Sequence, residues 1–354
     1  MKYTRKEIDK AGDILLSSKN VDDVSNAIAK INDWRSLHLI PLDELQAKVK
    51  KVLHTNKIPY VLIARRLKRL TSITLKLDLN TNMHLGGMQD IGGLRIVVSD
   101  VSDLNALFCF LQNARIDNFE CRKIYNYVDI PKSSGYRSIH FAYTYTGENE
   151  ECNGLRIELQ IRTRLQHLWA TAVETASLAS RTSLKSSVGD DGWLSFFKVV
   201  SSLFCFKEKM PVMKEHVNLS MEQLMRICFF YNKQYQYSNI LKALNVSVHF
   251  VEEKDKRNSD YYLIYADLIN GNVSISTYFK EQEHKAVQKY SEMEESLEEG
   301  KTVAVLVAVS KVEELKEAYP SYFLDTSEFI YHVEKVCSNC IKHNFIKEED
   351  YGPK

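Results

Sequence analysis

The sequence predicts an α+β protein, a mixed β-sheet flanked by helices, with a smaller α+β unit toward the C-terminus. Three observations carry this. Apolar residues recur at helical spacing from residue 1 to 57. From Gly92 the period changes: "LRIVVS", "CRKIYNYVDI", "SIHFAYTYTG" and the strictly alternating "GLRIELQIRT" read as strands, with "DLNALFCFLQNA" and "RLQHLWATAVETASLA" as helices. Later, "YYLIYADLINGNVSISTYF" places Asn270-Gly271 between two strand-like runs, a hairpin signal, and "KTVAVLVAV" adds another strand. Strands and helices in this irregular alternation point to α+β rather than a doubly wound sheet.

The elements follow in order. "IDKAGDILLSS" and "VDDVSNAIAKINDWRSLH" carry an apolar stripe, and "PLDELQAKVKKVLH" opens on a Pro, favoured in a first helical turn. Pro59 interrupts the pattern and "YVLIARRLKRLTSITLKL" resumes it. As a helix, that stretch puts Arg65, Arg69, Ser72 and Lys76 on one basic face. "SLKSSVGDDG" at 183–192 closes the first pattern, and a helical stretch, 193–244, leads onward. Residues 1–200 and 201–354 are therefore expected as two domains, since single cores seldom grow past roughly 250–300 residues.

Composition sets the class. With 44% hydrophobic and 26% charged residues the chain is an ordinary globular one. No apolar run approaches the roughly 20 residues of a membrane span, and "MKYTRKEIDKAGD" lacks a signal-peptide core, so a cytoplasmic address is expected. Seven cysteines, mostly scattered singly, suit a reducing compartment. The net charge of +1 conceals a basic first hundred residues and an acidic stretch at 281–300. An anionic ligand for the front half, or two solvated faces, would each produce that split.

Three pieces carry candidate chemistry. In "GLRIELQIRT" the alternation puts Arg156, Glu158, Gln160 and Arg162 on one face of a strand. That face is either solvent surface or a phosphate site in which a carboxylate holds Mg²⁺ or takes a proton and guanidinium groups grip oxygens. In "MQDIGGLRIVV" Asp90 precedes Gly92-Gly93 and a strand with Arg95, and no GxxxxGK[ST] P-loop exists. Asp90 and Glu158 on neighbouring strands would share Mg²⁺ and a triphosphate. In "DIPKSSGYRSIH" a Ser/Gly turn carries Tyr136 as an exposed ring among Lys132, Arg137 and His140. A polar hairpin loop and a base-stacking platform both remain open for it.

Together, "RLKRLTSITLK", "MQDIGGLRIVV", "SSGYRSIH", "IELQIRT" and "LQHLWATAVE" resemble, in order and spacing, the motifs of the RelA/SpoT synthetase domain across about residues 50–180. The resemblance implies a nucleotidyltransferase-related mixed sheet and transfer of the β,γ-pyrophosphate of ATP to a ribose 3′-hydroxyl, leaving AMP. By position it implies ATP contacts at Arg66, Lys68, Ser72, Lys76 and Arg95. It implies Asp90 and Glu158 as Mg²⁺ ligands, with Glu158 also activating the acceptor. Lys132, Tyr136, His140, Gln160, Arg162 and His167 fall on the acceptor side.

Two acceptors fit: the 3′ end of tRNA, as in the toxic small members, or GDP/GTP, as in (p)ppGpp synthetases. The phrasing "MHLGGMQDIGGLR" and the basic stretch 48–76 favour tRNA. No HD-type hydrolase region precedes the motifs, so no hydrolase activity is expected. The remainder, about 220–354, resembles the antitoxin half of CapRel-like fused toxin–antitoxin proteins, implying restraint of the enzyme and a phage protein as trigger; a dimerisation or unrelated binding domain is the other reading. "YPSY" would bring Tyr319 and Tyr322 to the adenine site, or else pack into its own domain. Cys337 and Cys340 form a CxxC near His332 and His343, with too little chain between ligand pairs for an ordinary zinc finger. A non-catalytic nucleotide or RNA sensor is the alternative of another class.

Overall fold

A computed structural model describes residues 2–180, 191–246, 249–251, 259–267, 272–298, 301–308 and 325–346. Its strands are β1 (Leu62–Leu67), β2 (Gly92–Val98), β3 (Phe119–Asn126), β4 (Ile139–Tyr145), β5 (Arg156–Thr163), β6 (His249–Val251), β7 (Tyr261–Asp267), β8 (Asn272–Tyr278) and β9 (Thr302–Ala308). They form one sheet in the order β3-β4-β5-β2-β1-β9-β7-β8-β6. The β2/β5 and β6/β8 pairs are parallel and the others antiparallel. The expected mixed sheet is present.

The helices are α1 (Arg5–Ser17), α2 (Val21–Ser36), α3 (Leu39–Thr55), α4 (Leu70–Asp78), α5 (Val101–Asn113), α6 (Arg164–Ser180), α7 (Asp191–Glu208), α8 (Met221–Tyr235), α9 (Tyr237–Val246), α10 (Glu283–Glu295) and α11 (Ser327–Lys342). Thr4 caps α1 through a capping box with Glu7, and Asn20 caps α2, which fixes where the N-terminal helices begin. Among the described residues no helix is long and apolar enough to cross a membrane.

One expected helix is a strand. Residues 62–67 pair with β2 on one side, Arg65 and Arg66 pair with β9 on the other, and only from Leu70 does the chain turn helical. The run Leu62–Ala64 is buried on both faces, and a short apolar run of that kind fits helix or strand by pattern alone. Partners on both edges decide it. Arg65 therefore leaves the supposed helix face: it pairs with Asp43 of α3 and lies over the Tyr261 ring, with centroid contact at 5.6 Å. Arg69 becomes the residue preceding α4.

The sheet runs across residue 200. β9 and β7 continue it from β1, and the main core joins Leu42, Ile73, Leu94 and Leu159 with Leu263, Tyr290 and Leu306. A second core gathers α6, α7, α8, α9 and α11 around Trp169, Phe197 and Phe329, with the Trp169 indole donating to the Phe197 carbonyl at 2.7 Å. The expected β7–β8 hairpin is paired from Tyr261↔Tyr278 to Asp267↔Asn272, and Asn270 and Gly271 lie outside the described residues.

His38, at the α2/α3 junction, is buried with its Nδ1 donating to the Trp34 carbonyl at 3.0 Å. Burial pushes it down from 6.5 to about 4. The unfolded chain therefore binds a proton between those values that the folded chain refuses, and stability falls as pH drops through that window. Urea unfolding from pH 7 to 4 should show wild type losing about 3 kcal/mol more than His38→Asn. Parallel pH profiles would mean that the histidine is protonated in the fold.

Candidate active site

Residues in register share one face of a sheet. The pairings align Arg66, Gly93, Glu158 and Ala142 in one row across β1, β2, β5 and β4. The next row is Ala64, Arg95, Gln160, His140 and Tyr125. Gly93 leaves this face open beside Glu158, since a Cβ there would meet nothing nearer than the Arg66 carbonyl at 3.9 Å.

Asp90 lies two residues before β2. Lys68, between β1 and α4, donates to its Oδ2 at 2.8 Å, and Lys76 of α4 to its Oδ1 at 2.9 Å. The Lys68 amide donates to the Ile91 carbonyl at 2.8 Å, fixing this approach through the backbone. Burial favours a neutral carboxyl, but Lys68 and Lys76 outweigh it and hold Asp90 far below the usual range. Burial also lowers the Lys68 ammonium, against the pull of Asp90. Ser72 is half-buried one turn before Lys76. Arg66 faces Glu174 of α6 at 3.8 Å.

A second group forms a chain. The Tyr136 hydroxyl meets His140 Nε2 at 2.9 Å, and His140 Nδ1 meets Glu158 Oε1 at 2.9 Å. Gln160 Nε2 donates to Glu158 Oε2 at 2.6 Å, and Arg162 donates to Gln160 Oε1 at 2.7 Å. The Arg162 guanidinium lies 5.8 Å from the centre of the Tyr136 ring, which closes the loop. Burial would lower His140, but the Tyr136 hydroxyl and Glu158 carboxylate raise it to about 9. Glu158 is held below its usual value by His140 despite burial, while the Asp90 charge opposes this. The two acids therefore sense each other. His167 is buried on α6.

Tyr136 is not the exposed ring expected: it is 6% exposed. Gly135, at φ +90°, turns the loop inward, and a Cβ there would come within 3.1 Å of Ser201. Trp169 packs against Tyr136 at 6.4 Å between centroids. Arg137 is also buried and donates to the Val128 carbonyl at 2.6 Å, so it faces away from the phosphate role read for the loop cations. Lys132 is exposed and lies 4.6 Å from the Tyr127 ring and 5.3 Å from Tyr136.

Sequence reading missed Tyr125 and Tyr127, stacked at 5.9 Å and 11° beside His140, with Lys123 over Tyr125 at 4.7 Å. The signal was there in "IYNY", two rings two residues apart beside the opening turn. Glu174, the partner of Arg66, gave none. Cys337 and Cys340 lie on α11 with Cys228 of α8 close enough to feel both thiols. Among the described residues no group of three or more His, Cys, Asp or Glu that could hold a metal is present. Tyr319 and Tyr322 lie outside the described residues.

His140 is raised above its unfolded 6.5, so its contribution to stability is whole below that value and lost as pH rises through about 9. Ring NMR should show an imidazolium persisting to near pH 9 in wild type and titrating at lower pH in Glu158→Gln. An unchanged midpoint would dissolve the His140–Glu158 ion pair.

Residues 65–180 match the family described as the region found in RelA / SpoT proteins. The GTP pyrophosphokinase YwaC of Bacillus subtilis is 26% identical over 171 residues, 44% of this chain and 79% of that protein. A probable guanosine-3′,5′-bis(diphosphate) 3′-pyrophosphohydrolase of Mycoplasma genitalium is 27% identical over 151 residues, and the match spans 19% of its length. A solved GTP pyrophosphokinase family protein from Streptococcus pneumoniae matches with a TM-score of 0.44 and 20% identity, covering 51% of this chain and 90% of that one. Asp90, Glu158 and the cations around them thus lie within the stretch, residues 65–180, that is similar to the region found in RelA / SpoT proteins.

Proposed function

We propose that the protein is an ATP-dependent pyrophosphokinase, with Asp90 and Glu158 at its reacting centre. The observation that carries this is two ionised carboxylates, Asp90 just before β2 and Glu158 on the neighbouring β5, with Lys68 and Lys76 on Asp90 and with Arg66 and Arg95 in the sheet rows of Glu158 and Gln160. Phosphoryl chemistry depends chiefly on such positioning and charge neutralisation. Hard oxygen donors of this kind suit Mg²⁺, which is usually held by one or two carboxylates and completed by phosphate oxygens and water. Mg²⁺ held by Asp90 and Glu158 would neutralise charge on the β- and γ-phosphates.

The residues divide the work. Arg66, Lys68, Ser72, Lys76 and Arg95 bind the triphosphate of ATP. Glu158 accepts the proton of the acceptor's 3′-hydroxyl, whose oxygen attacks the β-phosphorus as the bond from that phosphorus to the α-phosphate oxygen breaks. AMP leaves. Lys132, Tyr136, His140, Gln160, Arg162 and His167 hold the acceptor.

The 3′ end of tRNA is the acceptor we favour. Tyr125 and Lys123 on edge strand β3, with Tyr127 and Lys132 just beyond its end, form a run of rings and lysines that suits a strand continuing past the reacting nucleotide. GDP or GTP is the second reading, favoured by the name of the Bacillus relative. Incubation with Mg²⁺, γ-labelled ATP and either tRNA or GDP should put label into tRNA. Asp90→Asn and Glu158→Gln should each lower transfer at least about 100-fold, and EDTA should abolish it, as expected when a charge-stabilising group is removed. Label entering only guanosine nucleotides would reverse the order of the two readings, and label entering neither would remove the activity.

Residues 201–354 act on this proposal as the restraining domain of a translation-blocking toxin in phage defence, with a phage protein as trigger. What supports it is contact between the two parts of the chain, including Arg164 with Glu328 of α11 at 2.8 Å. A trigger would have to bind the released form more tightly than the restrained one. The test keeps the full chain, because β9 is paired to β1. Cells expressing Tyr319→Ala/Tyr322→Ala should stop growing where wild type grows; equal growth at equal expression would remove these tyrosines from the restraint.

A further inference from the structure

We propose that Glu294, on α10, is a positioning residue for the segment from Lys68 to Lys76, although it lies more than two hundred residues further along the chain. Its carboxylate and the Arg35 guanidinium form an ion pair at 2.6 Å, with side chains 1% and 2% exposed. Each ion also grips the backbone. Arg35 donates to the Lys68 carbonyl at 2.6 Å, and the Leu70 amide donates to Glu294 Oε1 at 2.8 Å. Tyr290 donates to the same oxygen at 2.7 Å, and Asn32 accepts from Arg35 at 2.6 Å.

The position of these bonds gives them their consequence. Leu70 is the first residue of α4, and that helix has no side-chain cap of its own. Its first amide is one that no helical carbonyl can reach. Glu294 supplies the missing acceptor, and its negative charge lies where a helix N-terminus favours one. Helix α4 carries Ser72 in its first turn and Lys76 in its second, and Lys68 is itself pinned through its carbonyl. The clamp thus fixes both lysines that hold Asp90.

A buried ion pair is a poor source of stability, because desolvation offsets much of its attraction, and apolar side chains of similar volume fill such a place as well. They would leave the Lys68 carbonyl and the Leu70 amide without partners. What the charges add is therefore placement of the backbone, in a site where a shift of about 1 Å costs heavily in phosphoryl transfer. The inference rests on the ATP reading of Lys68 and Lys76, and its test separates the two.

Full-length wild type is compared with Glu294→Gln, Glu294→Asp and the double variant Arg35→Met/Glu294→Leu. Two quantities are read: hydrogen exchange of the peptide spanning residues 68–78, and the Kd of α,β-methylene ATP with Mg²⁺. The double variant should stay folded but melt somewhat below wild type, exchange that peptide at least tenfold faster and bind the analogue about tenfold more weakly. Exchange in β4 and β5 should stay unchanged. Glu294→Asp keeps the charge balanced with a shorter reach, so it folds even where the double variant does not, and should shift both readings about threefold. A folded variant with unchanged exchange, or with faster exchange and an unchanged Kd, overturns the positioning role. Wild type that does not bind the analogue overturns the proposed function, and the exchange arm then decides alone whether Glu294 holds the segment.

Discussion

Glu158 on β5 and Asp90 just before β2 are two carboxylates within reach of each other's charge, and the surrounding structure is arranged to keep both ionised. Burial and the Asp90 charge both push Glu158 toward its neutral form, and burial does the same to Asp90. Lys68 and Lys76 compensate Asp90, and the imidazolium of His140 compensates Glu158. Each compensating group comes from a different element. The parallel β2/β5 pair is needed to bring the acids together, the end of β1 to deliver Lys68, helix α4 to deliver Lys76, and β4 to deliver His140.

That arrangement makes β1 more demanding than its six residues suggest. It has β2 on one side and β9 on the other, so the strand leading to Lys68 is completed by residues from far along the chain. Without β9 its edge at Arg65 and Arg66 would stand open, an arrangement that proteins avoid. The later strands are thus part of the same sheet as the site. Whatever residues 201–354 do in the cell, their strands share hydrogen bonds with the strand that leads to Lys68.

Much of this was legible in the sequence. Strict alternation in "GLRIELQIRT" gave β5 and the shared face of Arg156, Glu158, Gln160 and Arg162, because period-two patterning is fixed by strand geometry. Residues 62–67 were not legible as a strand. Their pattern is that of a buried run, and the pairing that decides the matter comes from β9, which no local window contains. The same limit hid the burial of Tyr136. A Ser/Gly turn with a ring reads as surface until Trp169, Ser201 and Met213 close over Gly135 from later helices and loops. Arg35 and Glu294 gave no signal either, since neither stands in a motif and only the tertiary fold makes them neighbours.

The closed chain of Tyr136, His140, Glu158, Gln160 and Arg162 bears on how an acceptor would enter. Every one of these side chains has a partner within the chain, and both Glu158 oxygens are already accepting hydrogen bonds. On the proposed function, a base can stack on Tyr136 only if the ring leaves its packed place, which breaks its bond to His140. His140 then loses one of the two groups that hold it charged, and its grip on Glu158 weakens as a result. A carboxylate released from its imidazolium is a better proton acceptor and a better ligand for a cation. Acceptor binding and activation of Glu158 would then be a single equilibrium, drawn toward the open arrangement only by what the acceptor gains there over the closed one.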